Sequence, residues 1–118
     1  MPMAQSQDAF KRGSAELVVL HLLRRDDMYG YQIVQELSKR SGGRYRLLEG
    51  SLSMLLMRME EAGFVVGRTE LVGKRRTRRY YTLTDAGRTR HTQLLQDYRE
   101  TIRGIQMILD DEENETDA

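Results

Sequence analysis

Cysteine is absent from this 118-residue chain, so it can form no disulfide, offer no thiol nucleophile and build no cysteine-ligated zinc site. A small chain without such staples is at home in a reducing compartment. Long apolar runs are missing too. None approaches the roughly 18 to 20 residues that a bilayer span requires, and the opening MPMAQSQDAFKR has no apolar segment behind its charges to act as a secretory signal. The expected location is the cytoplasm, with no membrane partner. Histidine is scarce: His21 and His91 are the only two. Both fall on apolar helical stripes, where packing is the ordinary role, and neither has a second histidine or carboxylate at a metal-ligating spacing. Phosphate-cradling glycine loops, nucleophile elbows and paired zinc-binding histidines are lacking as well. Glu60 and Glu61 read as solvated. No catalytic residue, metal site or cofactor is therefore expected, and the chain does not read as an enzyme.

What is present suits one small folded module. The composition is 39% hydrophobic and 31% charged with a mean hydropathy of -0.64, and a chain of this length buries roughly two thirds of its unfolded surface. The net charge of +1 averages two opposed regions. From Arg68 to Arg90, Arg68, Lys74, Arg75, Arg76, Arg78, Arg79, Arg88 and Arg90 stand against Glu70 and Asp85, a net of +6, whereas residues 110–118, DDEENETDA, carry six acids and no base. That end is too polar to pack. It reads as a solvated tail, with competition for the basic segment as the alternative.

Periodicity supplies the elements. After a flexible arm over residues 1–12, Ser14 is placed to cap a helix over AELVVLHLLRR, apolar at nearly every position from Leu17 to Leu23 and so in need of cover on several faces. DDMYG breaks that pattern. YQIVQELSKR resumes it with Ile33, Val34 and Leu37 on one side, ending at Gly42 and Gly43. Ser51 is a candidate cap for LSMLLMRMEEA, where Leu52, Leu55, Leu56 and Met59 recur at helical spacing and Gly63 supplies the stop. FVVGRTELV and TRRYYTL, separated by GKRR, read as a two-stranded hairpin. Thr84 and Asp85 are placed to cap a last helix whose His91, Leu95, Tyr98, Ile102, Ile105 and Leu109 are spaced 4, 3, 4, 3, 4. Such an alternation is a packing seam.

Three helices with a basic hairpin behind the third form the plan of a winged helix-turn-helix. The expected fold is mainly α with a small β-hairpin, comprising a winged helix-turn-helix DNA-binding domain over 13–84, a dimerisation helix over 85–110 and a disordered acidic tail over 111–118. Cations on a projecting tip neutralise phosphates and release condensed counterions. Alternation along the returning strand sets Arg79, Tyr81 and Leu83 on one side and Arg78 and Tyr80 on the other. With Leu83 inward, Tyr81 reads as core, Arg79 lays its stem along the domain, and Arg78 joins Lys74, Arg75 and Arg76 toward DNA. Tyr80 is left between core-edge packing and phosphate contact.

MYGYQIVQEL at 28–37, GSLSMLLMRMEEAGFV at 50–65 and RRTRRYYTLTDAG at 75–87 resemble the PadR family of bacterial transcriptional regulators. The likeness covers residues 14–109. It implies a winged-helix homodimer that binds a pseudo-palindromic double-stranded operator, usually as a repressor released by a small hydrophobic or aromatic effector. In the family pattern a tyrosine-glycine-tyrosine opens the second helix and a glycine-threonine-leucine-tyrosine-proline stretch opens the third. This chain departs from the second motif: Ser51 stands for threonine, Ser53 for the phosphate-contacting tyrosine and Met54 for proline. Having one helix behind the wing, it looks like the short subgroup, in which an aromatic residue on that helix stacks on planar ligands at the dimer interface; Tyr98 falls at the matching position.

The expected DNA-binding residues are accordingly Tyr31, Ser51, Ser53, Met54, Arg58, Lys74, Arg75, Arg76 and Arg78. Ser51 and Ser53 would meet phosphates at a helix N-terminus. Met54 and Met57 lie off the apolar stripe, so they either touch thymine methyls in a groove or pack on something outside this plan. The expected dimer interface is Leu20, Leu95, Tyr98, Ile102, Ile105 and Leu109, with Tyr98 the effector contact. The alternative to a DNA-binding regulator is a dimeric protein-interaction module whose basic hairpin docks an acidic protein partner.

Overall fold

The structure, a computed structural model, describes residues 2–117, with side chains described for residues 13–111. The expected arm over 1–12 and all but the first residue of the expected tail over 111–118 lie outside the residues whose side chains are described. The element order is α1 (Pro2–Leu23), β1 (Met28–Tyr29), α2 (Gly30–Arg40), α3 (Glu49–Glu61), β2 (Val65–Leu71), β3 (Thr77–Leu83) and α4 (Asp85–Asp117).

α1 is the hub. Ala15, Leu17, Val19, Leu20, Leu22 and Leu23 are all buried, because α2, β3 and α4 pack around this helix and meet its apolar residues from different sides. Two expectations change here. Ser14 caps nothing: α1 is already under way at that point, and the buried hydroxyl shares a hydrogen bond of 3.0 Å with the Tyr45 phenol. Leu20 is 0% exposed inside the chain's own core, so it has no surface to give to a second copy and is removed from the expected dimer interface.

α3 buries Leu52, Leu56 and Met59 and half-buries Leu55, the stripe its spacing predicts. Ser51 is not its cap. Leu48 holds that position without a side-chain hydrogen bond, and Ser51 sits one turn inside. The helix ends where Gly63 turns to φ +84, with Gly63 N–H donating to Glu60 O and Phe64 N–H to Met59 O.

The expected hairpin forms from β2 and β3, but the sheet has three strands in the order β1-β3-β2. The two residues read as a helix break, Met28 and Tyr29, pair antiparallel with Tyr81 and Tyr80. At the hairpin's root Leu83 pairs with Val65, both buried. Thr84 then joins wing to α4: its hydroxyl donates to Gly63 O at 2.6 Å and accepts from Gly87 N–H at 3.0 Å, which makes it the expected cap. Gly87 is packed so closely that a Cβ there would lie 2.1 Å from the backbone oxygen of Phe64.

α4 is fastened to α1 by two polar contacts. Arg90 donates to both oxygens of Glu16, at 2.8 and 3.3 Å, and that carboxylate raises its pKa. Beside it, His21 Nδ1 and His91 Nε2 are 2.9 Å apart. A guanidinium can only donate, so Arg24, 3.0 Å from His21 Nε2, makes that nitrogen an acceptor. Nδ1 then carries the His21 proton and donates it to His91. Burial lowers the pKa of both rings, with Arg24 adding to it. The two histidines do pack, as expected, and they also form the polar link between two helices.

Candidate nucleic-acid interface

Two exposed surfaces stand out, one on α3 and one on the wing. The first is the free face of α3. Ser51, Met54 and Arg58 recur at i, i+3 and i+7, and Ser53 and Met57 flank them; all five are exposed. Met54 and Met57 are each 54% exposed and stand outside the core cluster. The second is the hairpin tip. Val72 N–H donates to Arg76 O to close the turn, and the side chains of Lys74, Arg75 and Arg76 project from it, exposed and, among the described residues, engaged by no hydrogen bond or ion pair. Arg58 is equally unengaged.

The arginines nearer the root are all occupied. Arg68 donates to Asp27 at 2.7 Å, Glu70 at 2.8 Å and Thr82 at 3.0 Å, and the hydrogen bonds to Glu70 and Asp27 raise its pKa. Arg79 donates to Glu60 of α3 at 2.9 Å, so its stem lies along the domain as alternation predicted, whereas Glu60 is an ion-pair partner and not merely solvated. Arg78 takes the face that alternation predicts, and an aromatic ring holds it there. It leaves the strand on the face opposite Arg79, away from α3, and is half-buried with its guanidinium 4.3 Å from the centre of the Tyr29 ring. Tyr80 meets Tyr29 edge-on at 5.4 Å and carries Arg68 at 5.3 Å, while Tyr81 packs against the core.

α3 and the wing root enclose a shallow cleft of about 400 Å³ lined by Ser53, Met57, Glu60, Glu61, Arg79 and Tyr81. Of the sequence-predicted DNA contacts only Ser53 lines it. Tyr31 is exposed at the start of α2, where it lines a separate groove along that helix with Gln35 and Lys39.

Toward the far end of α4 the apolar seam is progressively bare. His91 is buried and Leu95 and Ile102 are half-buried, but Tyr98 is 40% exposed and Ile105, Ile108 and Leu109 more so. Tyr45, bonded to Ser14, has its phenol pKa raised by burial, with the Tyr98 phenol adding to the effect. Among the described residues, no three metal-ligating side chains cluster, and no helix is long and apolar enough to cross a membrane.

Residues 19–93 match the transcriptional regulator PadR-like family. The chain belongs to that family. This PadR-like chain is a transcriptional regulator and not an enzyme. It is 34% identical over 84 residues to the transcriptional regulator Rv3488 of Mycobacterium tuberculosis, across 71% of this chain and 75% of that protein. Among solved structures, the PadR family transcriptional regulator of Eggerthella lenta superposes with a TM-score of 0.79 at 23% identity, covering 91% of both chains. Bacillus subtilis PadR, solved in complex with operator DNA, superposes with a TM-score of 0.65 at 26% identity over 69% of this PadR-like chain and 46% of that one.

The residues that sequence reasoning missed are Asp27, Tyr29 and Glu60, each of which holds a wing arginine. Their partners are distant in the chain or, for Glu60, across two elements, so no periodicity signals them. The one usable cue was that several arginines crowd one hairpin near few acids.

Proposed function

We propose that this chain is a sequence-specific DNA-binding repressor that acts in the cytoplasm as a homodimer on a pseudo-palindromic operator. The observation that carries this reading is the division among the wing's cations. Those near the root are tied to carboxylates or an aromatic ring, and the three at the tip have no hydrogen-bond or ion-pair partner among the described residues. Charge left unneutralised on a projecting turn fits a polyanion. The exposed face of α3 beside it supports a helix entering the major groove. In that arrangement Ser51 and Ser53 bind phosphates from the first turns of α3, Arg58 adds a charged contact, and Met54 and Met57 are the apolar surface for thymine methyls. Tyr31 contributes from α2, and Arg78 is a subsidiary contact because Tyr29 already holds it.

The bare seam of α4, Leu95, Tyr98, Ile102, Ile105 and Leu109, is the proposed dimer interface, on which a second copy would cover what this chain leaves exposed. Two copies related by a two-fold axis read a two-fold symmetric site. A small aromatic effector stacking on Tyr98 between the copies would relieve repression.

The test is genome-wide recovery of bound DNA fragments, followed by footprinting and a salt series on the best fragment. Two-fold symmetric protection is expected. Replacing Lys74, Arg75 and Arg76 together with alanine should weaken binding to all duplexes alike and flatten the log-log salt dependence by about 0.9 for each phosphate that is no longer neutralised. An unchanged salt dependence would take the tip out of the interface.

A further inference from the structure

In the cleft between α3 and the wing, one guanidinium is held by groups from three places. Arg79 Nη2 donates to both carboxylate oxygens of Glu60, at 3.1 and 2.9 Å. Its Nη1 reaches Thr69 Oγ1 on the neighbouring strand at 3.4 Å, and its guanidinium carbon lies 5.8 Å from the centre of the Tyr81 ring. Gly67 completes the seat. A Cβ at that position would lie 2.6 Å from Arg79 Nε, so the missing side chain is what allows the arginine to lie flat against the sheet.

Both partners remain substantially open to solvent, with side chains 45% and 37% exposed. Exposed ion pairs contribute little to stability. What this one does provide is geometry, since a fork-shaped cation on a carboxylate fixes direction as well as distance. It ties the C-terminal turn of α3 to the root of the wing, the two elements whose relative angle decides whether helix and hairpin engage one duplex together. It also occupies donors that a phosphate would otherwise take, and Glu61, on the same cleft, adds a second carboxylate that repels one.

We infer that Glu60 is a positioning and specificity-determining residue for DNA recognition, one that holds Arg79 across the α3–wing cleft, sets the angle between them, and keeps that cation off the phosphate backbone. This rests on the DNA-binding reading above. Glu60 acts through Arg79 and needs no contact with DNA itself. Removing Glu60 therefore adds attraction that is indiscriminate, because a freed cation meets the phosphates of any sequence alike.

The experiment compares the full-length chain with its E60A, R79A and double variants on the recovered operator fragment and on a scrambled duplex, each over a salt series. E60A releases Arg79, so its salt dependence should steepen by about 0.9 per subunit, scrambled DNA should bind several-fold more tightly, and the ratio of operator to scrambled affinity should fall. R79A should keep the wild-type salt slope while losing part of the ratio, and the double variant should match R79A. A slope flattened by R79A would place Arg79 on a phosphate and overturn the inference; so would an E60A variant with unaltered slope and ratio. A DNA-free measurement separates this outcome from failure of the underlying reading. With no native cysteine, spin labels on A62C and G73C, both exposed positions, report the distance from α3 to the tip. The distribution should broaden on E60A, and an unchanged width would end the angle-setting role. Wild-type protein that bound no duplex would remove the DNA-binding reading and the recognition role together, whatever the labels reported.

Discussion

At the root of the β2–β3 hairpin, Val65 and Leu83 are buried, Thr84 bonds to both neighbouring segments, and Gly87 lies against the backbone of Phe64. At its tip, the side chains of Lys74, Arg75 and Arg76 make no hydrogen bond or ion pair among the described residues. The same two strands thus carry a packed end and a bare one, less than ten residues apart. The difference separates two kinds of constraint. The root is fixed by volume and hydrogen bonding, where a single added methyl is felt; the tip is fixed by charge alone, where side-chain shape matters little so long as the cations stay exposed.

The largest effect should come from breaking the root. Gly87→Ala puts a Cβ 2.1 Å from a backbone oxygen that cannot swing aside as a side chain would. The expected loss is about 3 kcal/mol in denaturant unfolding. A smaller effect should follow from acid. Burial lowers the pKa of His21 and His91, so below the ordinary histidine value of about 6.5 the unfolded chain takes up protons that the folded chain resists. Stability is complete above that pH and falls as pH drops through the folded values. Arg24, Arg25 and Arg40, all cations around His21, act in the same direction. Melting temperatures should therefore decline between pH 7.5 and 5, and H91Q should flatten the decline. The tip gives the smallest effect: its side chains are exposed and make no hydrogen bond or ion pair among the described residues, so replacing all three with alanine should move stability by no more than about 0.5 kcal/mol. A large stability change from the tip, or none from Gly87, would erase the contrast between the two ends.

The legibility of this chain follows the same division. α2, α3, the hairpin and α4 were readable because Ile33 and Leu37, Leu52 to Met59, and the seam from His91 to Leu109 repeat at fixed spacings, and Gly63 and Thr84 mark ends by local chemistry. β1 was not, since two residues are too few to show a period, and only pairing with Tyr80 and Tyr81 makes them a strand. Leu20 could not be sorted from interface residues, because an all-apolar stretch does not say whether its own chain or a second copy covers it. Ser14 and Ser51 have the composition of caps, yet each lies inside a helix that begins before it. At the candidate interface the cations were obvious from sequence, but which of them are spoken for depended on Asp27, Tyr29 and Glu60. Contacts between separate elements leave no periodic trace.

Only Thr84 separates the last residue of β3 from the first of α4, and its bonds to Gly63, Phe64 and Gly87 leave that joint no slack. A tilt imposed on the long helix must therefore travel into the hairpin as one lever, because there is no linker in which the rotation could be absorbed.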